Sequence, residues 1–406
     1  MKKGFTLIEL LAVIVILAII ALIATPIILN IIEDSRVESK KRSIDNYAHA
    51  LANEVMRKQM TGSLSTLDDA IESVQYTGSK VSCETRKILN NGEIYLDNCS
   101  VDGEVIENYS YGKKKHETSP MILTGETANN KITGYTLDKT GNIGLDIYAK
   151  VSGTSHITYS INNETPVTVN PKKDKDGNTY YTVPVSPANM TRSIVIKLYS
   201  RETEVDSLTT TIKDYCNTIL SDSSYTDSHD FIKSLVTLGR YNQEYFNVDT
   251  GNLVDSILST PIDLFTIDIH EDYIQTLKYK VNSGSINGLN TPTRNYSHGE
   301  HMIEYTYFVL ESGLSIDDLT FTRDGNSITP EPNNNRYQLV SQIDYANLGN
   351  EFRTVVTKGN ERFITISSPL AYLLNMVNNT SKTAAFRALC RSEIYYYFEL
   401  NNYYFN

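Results

Sequence analysis

One segment of the sequence brings together residue types that bind metal ions. It contains His298, Glu300 and His301, with Glu304 close behind. Imidazole nitrogens and carboxylate oxygens are ligands that zinc accepts in proteins. The segment precedes an alternating run typical of a strand, in which His298 and His301 would face opposite sides. The pattern therefore predicts a surface turn and no metal site.

Two acidic segments have residue types that bind calcium. Asp222, Asp227, His229 and Asp230 lie between two predicted helices, and residues 174–178 read Asp-Lys-Asp-Gly-Asn. A calcium loop of the EF-hand type ends on a glutamate, which the second segment lacks. A solvated loop and a turn are the better interpretations. Since the sequence also has no nucleotide-binding loop, serine elbow or zinc-protease motif, we expect neither an enzyme nor a cofactor.

The composition narrows the classes of function further. The chain has 406 residues, of which 40% are hydrophobic and 21% charged, with a net charge of −11. That charge repels phosphate backbones, so nucleic acid is disfavoured as a partner. Four cysteines are too few for a scaffold built on disulfides. The 28 tyrosines and the many Thr, Asn and Ser residues favour strands, turns and an extracellular surface.

Glu9 is the most unusual carboxylate because it lies inside an apolar run. The run extends from Phe5 to Ile32 and follows Lys2-Lys3. As a helix it would measure about 42 Å, more than the ~30 Å hydrocarbon core of a bilayer. A carboxylate costs about 2.5–3.5 kcal/mol near the bilayer centre and less toward its edge. Residues 5–32 are therefore predicted to cross the cytoplasmic membrane, and Glu9 is predicted to have a function.

The residues around Gly4 carry a family resemblance. Lys2-Lys3-Gly4 followed by Phe5-Thr6-Leu7-Ile8-Glu9-Leu10-Leu11 resembles the class III signal of type IV pilins and pseudopilins. The resemblance implies cleavage after Gly4, which makes residues 1–4 a leader peptide, and N-methylation of Phe5. Glu9 and Pro26 match the family pattern as assembly residues. The resemblance implies that a neighbouring subunit's terminal amine neutralises Glu9, and Pro26 should kink the helix.

The same resemblance implies partners and a location. The partners are homologous pilin subunits, contacted through the N-terminal helix, together with a prepilin peptidase, an inner-membrane assembly platform and the cytoplasmic membrane. The protein would begin as a single-pass membrane precursor and end in an extracellular filament or at the cell surface. A host or surface ligand for the exposed part is a further expectation.

The N-terminal helix is predicted to continue beyond the membrane, over residues 5–60. Ile44, Ala48, Leu51 and Val55 recur at helical spacing on one face. A helix without a packing partner is marginally stable in water. The apolar stripe is therefore predicted to pack on the part of the chain that follows.

Residues 61–117 are predicted to form a small β region. A short helix begins after Thr66, and Asn90-Asn91-Gly92 separates two alternating runs, which indicates a hairpin. The segment resembles the short sheet region of Gram-positive pilin-like proteins. Cys83 and Cys99 flank the turn, and in an exported protein a disulfide between them is favoured.

The remaining chain predicts an α+β fold made of two repeats, 118–250 and 251–406, each a β-sandwich followed by a helical hairpin. The evidence for duplication is that short motifs recur about 159 residues apart. They are Tyr241–Phe246 with Leu400–Phe405, and Ala188-Asn189-Met190 with Ala346-Asn347-Leu348. The repeat resembles an uncharacterised extracellular module of clostridial and related Firmicutes surface proteins. Cys216 and Cys390 are predicted core thiols, with a bridge between the repeats as the alternative.

These observations favour a structural and binding protein. The leading hypothesis is a pilin-like, minor subunit of a type IV filament of a Gram-positive bacterium, with a large head for adhesion. One alternative is a pseudopilin of a type II secretion-like or competence DNA-uptake machine, although the sequence shows no basic stripe that DNA would require. The other alternative is a membrane-anchored surface protein that never polymerises.

Overall fold

The computed structural model describes residues 7–61, 67–89, 93–107, 109–125, 131–248, 253 and 262–405. For residues 7–14, 16–30, 68 and 69 it describes the backbone alone. Within these ranges the chain forms a long N-terminal helix, a small sheet, and two larger units in which helices lie beside antiparallel sheets. The predicted mixture of helix and sheet is therefore confirmed.

The N-terminal part consists of a long helix, a short helix and a three-stranded sheet. Its elements are α1 (Leu7–Met60), α2 (Leu67–Ser73), β1 (Val81–Ile88), β2 (Ile94–Val101) and β3 (Glu104–Val105). We call α2 and the sheet the small β region. The strands pair antiparallel in the order β1-β2-β3. The predicted helix cap at Thr66 and the predicted turn Asn90-Asn91-Gly92 lie outside the described residues.

The first unit contains two antiparallel sheets followed by two helices. Its strands are β4 (Ile122–Leu123), β5 (Lys131–Leu137), β6 (Gly144–Lys150), β7 (Ser155–Ile161), β8 (Val167–Val169), β9 (Lys172–Lys173), β10 (Thr179–Pro184), β11 (Ile194–Ser200) and β12 (Thr203–Thr210). The strand orders are β4-β5-β6-β10-β9 and β12-β11-β7-β8. Along β11, Ile194, Ile196 and Leu198 are buried and alternate with less buried residues, which is the period of a strand with one face on a core.

Local sequence signals set one end of each helix in the first unit. In α3 (Ile212–Ser221) the Thr211 hydroxyl accepts a hydrogen bond from the Asp214 backbone N–H, which satisfies a free donor of the first turn. In α4 (His229–Phe246) the helix ends at Asn247 in the left-handed conformation. A hairpin turn lies at Asn162 and Asn163, since both have positive φ between paired β7 and β8.

The second unit begins after α5 (Glu271–Gln275) and again has two sheets and two helices. Its strands are β13 (Val281–Ser285), β14 (Thr293–Ser297), β15 (Met302–Phe308), β16 (Thr320–Arg323), β17 (Asn326–Ile328), β18 (Glu331–Asn333), β19 (Arg336–Ile343), β20 (Phe352–Lys358) and β21 (Glu361–Ser367). The strand orders are β13-β21-β20-β16-β17 and β14-β15-β19-β18. The helices are α6 (Pro369–Asn378), capped by Ser368, and α7 (Ala384–Phe405).

The strand orders of the two units can be superimposed. The order β5-β6-β10-β9 corresponds to β14-β15-β19-β18, and β12-β11-β7-β8 corresponds to β21-β20-β16-β17. Short 3-10 helices, Pro187–Asn189 and Tyr345–Asn347, precede corresponding strands β11 and β20. Each unit also has one extra edge strand, and the two differ in position. In the first unit β4 lies beside β5, whereas in the second β13 lies beside β21, the counterpart of β12. The recurring Ala-Asn motifs found in the sequence thus lie in matching 3-10 helices.

One continuous core joins the two units. It includes Leu145 and Ile196 from the two sheets of the first unit, and Leu370 and Leu400 from the helices of the second. The helices α4 and α7 pack against each other at its centre. The second sandwich has a separate cluster, which contains Phe308, Phe321, Leu339, Val356 and Phe363 among others.

Candidate functional site: the N-terminal helix and the head it joins

The C-terminal half of α1 packs on the small β region along the predicted stripe. Ile44, Ala48, Leu51 and Val55 are at most 1% exposed and share a core with β2. Each fully buried Ile, Leu or Val side chain contributes roughly 1.5–3 kcal/mol. Polar contacts flank the stripe; for example, the Tyr109 hydroxyl donates to Asp45 Oδ1 at 2.5 Å. The prediction that this helix face is covered is confirmed.

A disulfide closes the hairpin under the helix. Cys83 and Cys99 are directly paired across β1 and β2 and their sulfurs are bonded, as the sequence predicted. Both residues belong to the core that covers α1. In the chain-entropy model a loop of this length stabilises by about 3 kcal/mol. The bond therefore fixes the surface on which the N-terminal helix lies.

The outer face of β1 attaches to the second unit. The Lys87 Nζ donates to the Ala346 carbonyl at 2.9 Å, and Thr85 Oγ1 donates to Asn347 Oδ1 at 3.1 Å. The Asn350 amide donates to the Glu84 carbonyl at 2.5 Å. These contacts join the small β region to the 3-10 helix Tyr345–Asn347 and the loop after it, about 260 positions away in sequence.

The C-terminal end of α7 completes this junction. The Tyr95 and Phe405 rings lie 4.8 Å apart, and Lys114 Nζ lies 5.3 Å from the Tyr404 ring centroid. The Lys87 ammonium lies between aromatic rings, and its desolvation, followed by the Lys114 charge, lowers the pKa of Lys87 to about 7. The basic segment around Lys114 therefore packs against the second unit.

An open cleft lies between the small β region and the first unit. Its volume is about 780 Å³, and its lining combines aromatic rings with both signs of charge. The Tyr148 and Tyr180 rings stack at 5.6 Å, and Lys139 Nζ lies 5.2 Å from the Tyr180 ring. Asp174 and Lys114 also line the cleft. Rings beside charged groups suit a polar ligand that presents an apolar face.

Residues 174–178 form a turn, as predicted, but the predicted loop at residues 222–230 is instead a 3-10 helix, Ser223–Ser228, followed by the first turn of α4. The Asp174 carboxylate accepts backbone N–H bonds from Asp176 and Asn178 at 3.0 and 2.8 Å, which closes a tight turn. Asp222 likewise accepts from the Ser224 backbone N–H at 2.9 Å. His229 Nε2 lies 3.1 Å from the Ile219 carbonyl oxygen. In the described part of the chain, these groups do not converge on a common point.

The prediction of a surface turn at residues 298–304 is wrong for two side chains. Residues 298–301 form a bend between β14 and β15, but the His298 side chain is only 5% exposed and Glu304 is fully buried. His298 Nδ1 lies 2.9 Å from both carboxylate oxygens of Glu393 in α7. Sequence reasoning missed this partner because it lies 95 positions away. The signal available in the sequence was Glu393 itself, an acid on a helix face whose other residues are apolar or aromatic, which indicates a buried partner.

Glu304 is the centre of a buried polar network. It accepts from Arg323 Nη2 at 2.7 Å, from Tyr296 Oη at 2.6 Å and from Thr306 Oγ1 at 2.8 Å. Arg294 lies on its other side, with Nε 4.0 Å from Oε1. Burial alone would raise the pKa of Glu304, but the Arg323 and Arg294 guanidiniums lower it to about 2. The carboxylate is therefore ionised inside the second unit.

The two remaining thiols are core residues, as predicted. Cys216 in α3 and Cys390 in α7 are both fully buried and not bonded to each other. Burial raises the pKa of both thiols far above that of a free cysteine. The alternative of a bridge between the repeats is therefore wrong.

The predicted assembly residues lie outside what the structure describes. Gly4 and Phe5 are outside the described residues, and so are the side chains of Glu9 and Pro26, although the backbone of both is helical within α1. Among the residues described with side chains, no helix is long and apolar enough to cross a membrane. Nearly all of the predicted spanning segment, residues 5–32, falls outside that set.

The comparisons with known proteins bear on this same N-terminal segment. Residues 1–25 match the family described as the prokaryotic N-terminal methylation motif. The match supports a type IV pilin-like or pseudopilin-like protein. It implies processing by a prepilin peptidase and assembly with other pilins, and it indicates a protein that is first membrane-anchored and then surface-exposed. None of the curated proteins matches the chain, so the resemblance to clostridial surface modules stays a prediction.

Proposed function

We propose that the protein is a minor, pilin-like subunit of a type IV filament of a Gram-positive bacterium, and that its large head serves adhesion. The observation that carries the proposal is the methylation motif at residues 1–25, which is continuous with a helix of 54 residues. Such a helix is about 80 Å long. The Gram-positive source rests on the sequence resemblance alone.

The proposed assembly step is electrostatic. Cleavage after Gly4 frees a positive amine on Phe5, and Glu9 lies one helical turn further on. In a low-dielectric layer either charge alone is costly, whereas the pair formed with a neighbouring subunit is not. This difference favours one axial register between subunits. Pro26 lacks the N–H for a helical hydrogen bond, so the helix can unwind locally during extraction from the membrane.

The size of the head supports a minor role. The part after the small β region, residues 118–406, contains both larger units. A major subunit repeats many times around a thin fibre, where heads of this size would collide. We also infer that the head arose by duplication of one sandwich-plus-hairpin module, which the matching strand orders and the recurring motifs support.

The cleft beside Tyr148 and Tyr180 supports a binding role for the head. It is open, and the small β region fixes one of its walls. The titratable clusters around Glu304 and His298, in contrast, lie inside the second unit. We therefore propose a binding subunit rather than an enzyme.

The test uses the full chain expressed in a strain that assembles type IV filaments. In Gly4→Leu, we expect the uncleaved precursor to accumulate, which intact-mass analysis of the N-terminus detects. In Glu9→Gln, we expect normal cleavage but loss of the subunit from sheared filaments. Glu33→Gln in the same helix is the matched control and should be incorporated normally.

Three results would contradict the proposal or one of its parts. Unchanged processing of Gly4→Leu would remove the prepilin interpretation. Normal incorporation of Glu9→Gln would remove the charge-pairing step, and absence of the wild-type protein from filaments would leave a membrane-anchored surface protein.

A further inference from the structure

Three donor side chains converge where the bend after β14 meets α7. His298 comes from the bend, and Cys390 and Glu393 come from α7, where residues three apart lie on the same face. Their donor atoms all lie within 4.8 Å of one another. The side chains of His298 and Glu393 are 5% and 0% exposed, and Cys390 is fully buried. Among the described residues, this is the one group of three such side chains with donors close enough to share an ion.

The cluster has donor atoms that one ion could share. His298 Nδ1 faces the Glu393 carboxylate at 2.9 Å, and the Cys390 thiol, which is free, lies within the same group. A nitrogen, a carboxylate and a thiol that face one another away from water make up the ligand set of a transition-metal ion. The Phe386 ring packs edge-to-face with the imidazole at 5.2 Å, and the Tyr372 ring lies at 6.2 Å, so the cluster is enclosed by aromatic side chains.

The surrounding residues hold the donors in place. The Tyr345 hydroxyl donates to the Gly299 carbonyl at 3.2 Å, which fixes the bend that carries His298. The same hydroxyl lies 3.4 Å from Glu393 Oε1. Outer contacts of this kind orient the ligands of metal centres in proteins.

The geometry points to a divalent transition-metal site, best suited to Zn²⁺, formed by His298, Cys390 and Glu393. Nitrogen, thiolate sulfur and carboxylate oxygen are the three kinds of donor that Zn²⁺ accepts, and three protein ligands leave one position of a tetrahedral ion. A site with one carboxylate and a sulfur does not suit Ca²⁺ or Mg²⁺, which take oxygen ligands. On binding, the Cys390 thiol proton and the proton between His298 and Glu393 pass to solvent.

Such an ion would clamp α7 to the β14–β15 hairpin. The first unit lacks the donor set, because the positions 159 residues earlier are Lys139, Phe231 and Ser234. Phe231 instead stacks on Tyr403 with ring centroids 5.1 Å apart. The site is therefore a feature of the second unit alone, and its role is to hold the helix that also contacts the small β region.

The experiment uses the full-length protein in detergent, freed of metal by chelation and incubated with Co²⁺ or Zn²⁺. Wild type should bind one equivalent, measured by elemental analysis after desalting, and the Co²⁺ form should show thiolate-to-metal charge-transfer absorption. Cys390→Ala should lose the absorption and the bound equivalent. Cys216→Ala is the matched control, because that thiol is equally buried but outside the cluster, and it should behave as wild type.

Three outcomes would overturn the inference. The first is a wild-type protein that takes up no stoichiometric metal. The second is a Co²⁺ complex without charge-transfer absorption, which excludes Cys390 and does not depend on any variant folding. The third is equal binding by Cys390→Ala and Cys216→Ala. In each case His298 and Glu393 would remain a buried hydrogen-bonded pair only.

Discussion

The two larger units have corresponding strand orders but different interiors. Leu145 in β6 pairs with Val183, and Glu304 in β15 pairs with Ser341. Val183 and Ser341 each lie four residues before the 3-10 helix of their unit, so the two pairs occupy matching positions. Leu145 and Glu304 are both fully buried. A hydrocarbon pair in the first unit is thus replaced by an ionised side chain and a hydroxyl in the second.

The difference extends along the same strands. Ile147 pairs with Tyr135 in the first unit, whereas Thr306 pairs with Arg294 in the second. On the facing sheet, Ile196 in β11 corresponds to Thr354 in β20, which accepts from Arg323 Nε at 3.1 Å. Apolar contacts are not directional, but hydrogen bonds to a guanidinium require a defined geometry. The second interior therefore depends on the exact placement of a few groups, and the first depends on volume.

The largest expected effect is on Glu304. In Glu304→Gln, two guanidiniums lose their buried counter-charge, and breaking such a pair costs about 3–5 kcal/mol. The matched change in the first unit, Leu145→Met, keeps the volume and should cost less than about 1.5 kcal/mol. Amide hydrogen exchange of β15 and β19, compared with β6 and β10, measures each effect in its own unit. Equal loss of protection in the two variants would contradict the comparison.

The two units should respond to pH in opposite directions. The pKa of Glu304 is lowered to about 2, so its contribution to stability is present above the unfolded value near 4.3 and falls as the pH decreases toward 2. In the first unit, burial and the Asp138 carboxylate raise the pKa of Asp146 to about 7. That contribution is complete below the unfolded value near 3.9 and is lost as the pH rises through 7.

Hydrogen exchange corrected for intrinsic rates, followed from pH 3 to pH 8, checks this prediction. Strands β14 and β15 should gain protection as the pH rises from 3, and β6 and β10 should lose it toward pH 8. Asp146→Asn should flatten the response of the first unit only. Parallel responses of both units would show that these carboxylates do not control local stability.

The smallest expected effect is on an exposed ion pair of the first unit. Lys197 Nζ lies 2.9 Å from Glu204 Oε2, but both side chains are more than two-fifths exposed. Exposed pairs contribute about 0.2–1 kcal/mol because water screens them. Lys197→Ala should therefore change the thermal unfolding temperature only slightly, and added salt should reduce the effect of the substitution. If Lys197→Ala destabilised the protein as much as Glu304→Gln, burial would not explain the difference between the Lys197–Glu204 and Arg323–Glu304 pairs.

The sequence predicted the features that depend on neighbouring residues. The stripe on α1 and the strands of the first unit follow from residue period, and the Cys83–Cys99 bond follows from a hairpin that aligns both ends of one short loop. These patterns need no knowledge of distant contacts. The turns at Asn162 and Asp174 were predictable for the same reason, because each depends only on residues next to one another in the sequence.

The sequence did not predict the features that depend on packing between distant elements. His298 meets Glu393 only because α7 covers the bend after β14. Glu304 meets Arg323 only when β16 and β15 face each other across the sandwich. Period-two alternation places Glu304 on one face of a strand but cannot distinguish a solvated face from a buried one that contains its own counter-charges.

The attachment of β1 to residues 346–350 has a mechanical consequence. Tension applied along α1 passes through the small β region and then takes two routes: the covalent chain into the first unit, and the side-chain contacts of β1 into the second. The Cys83–Cys99 bond prevents the two strands under α1 from separating. The side-chain contacts of Thr85 and Lys87 would then be the first to yield when a bound head is pulled.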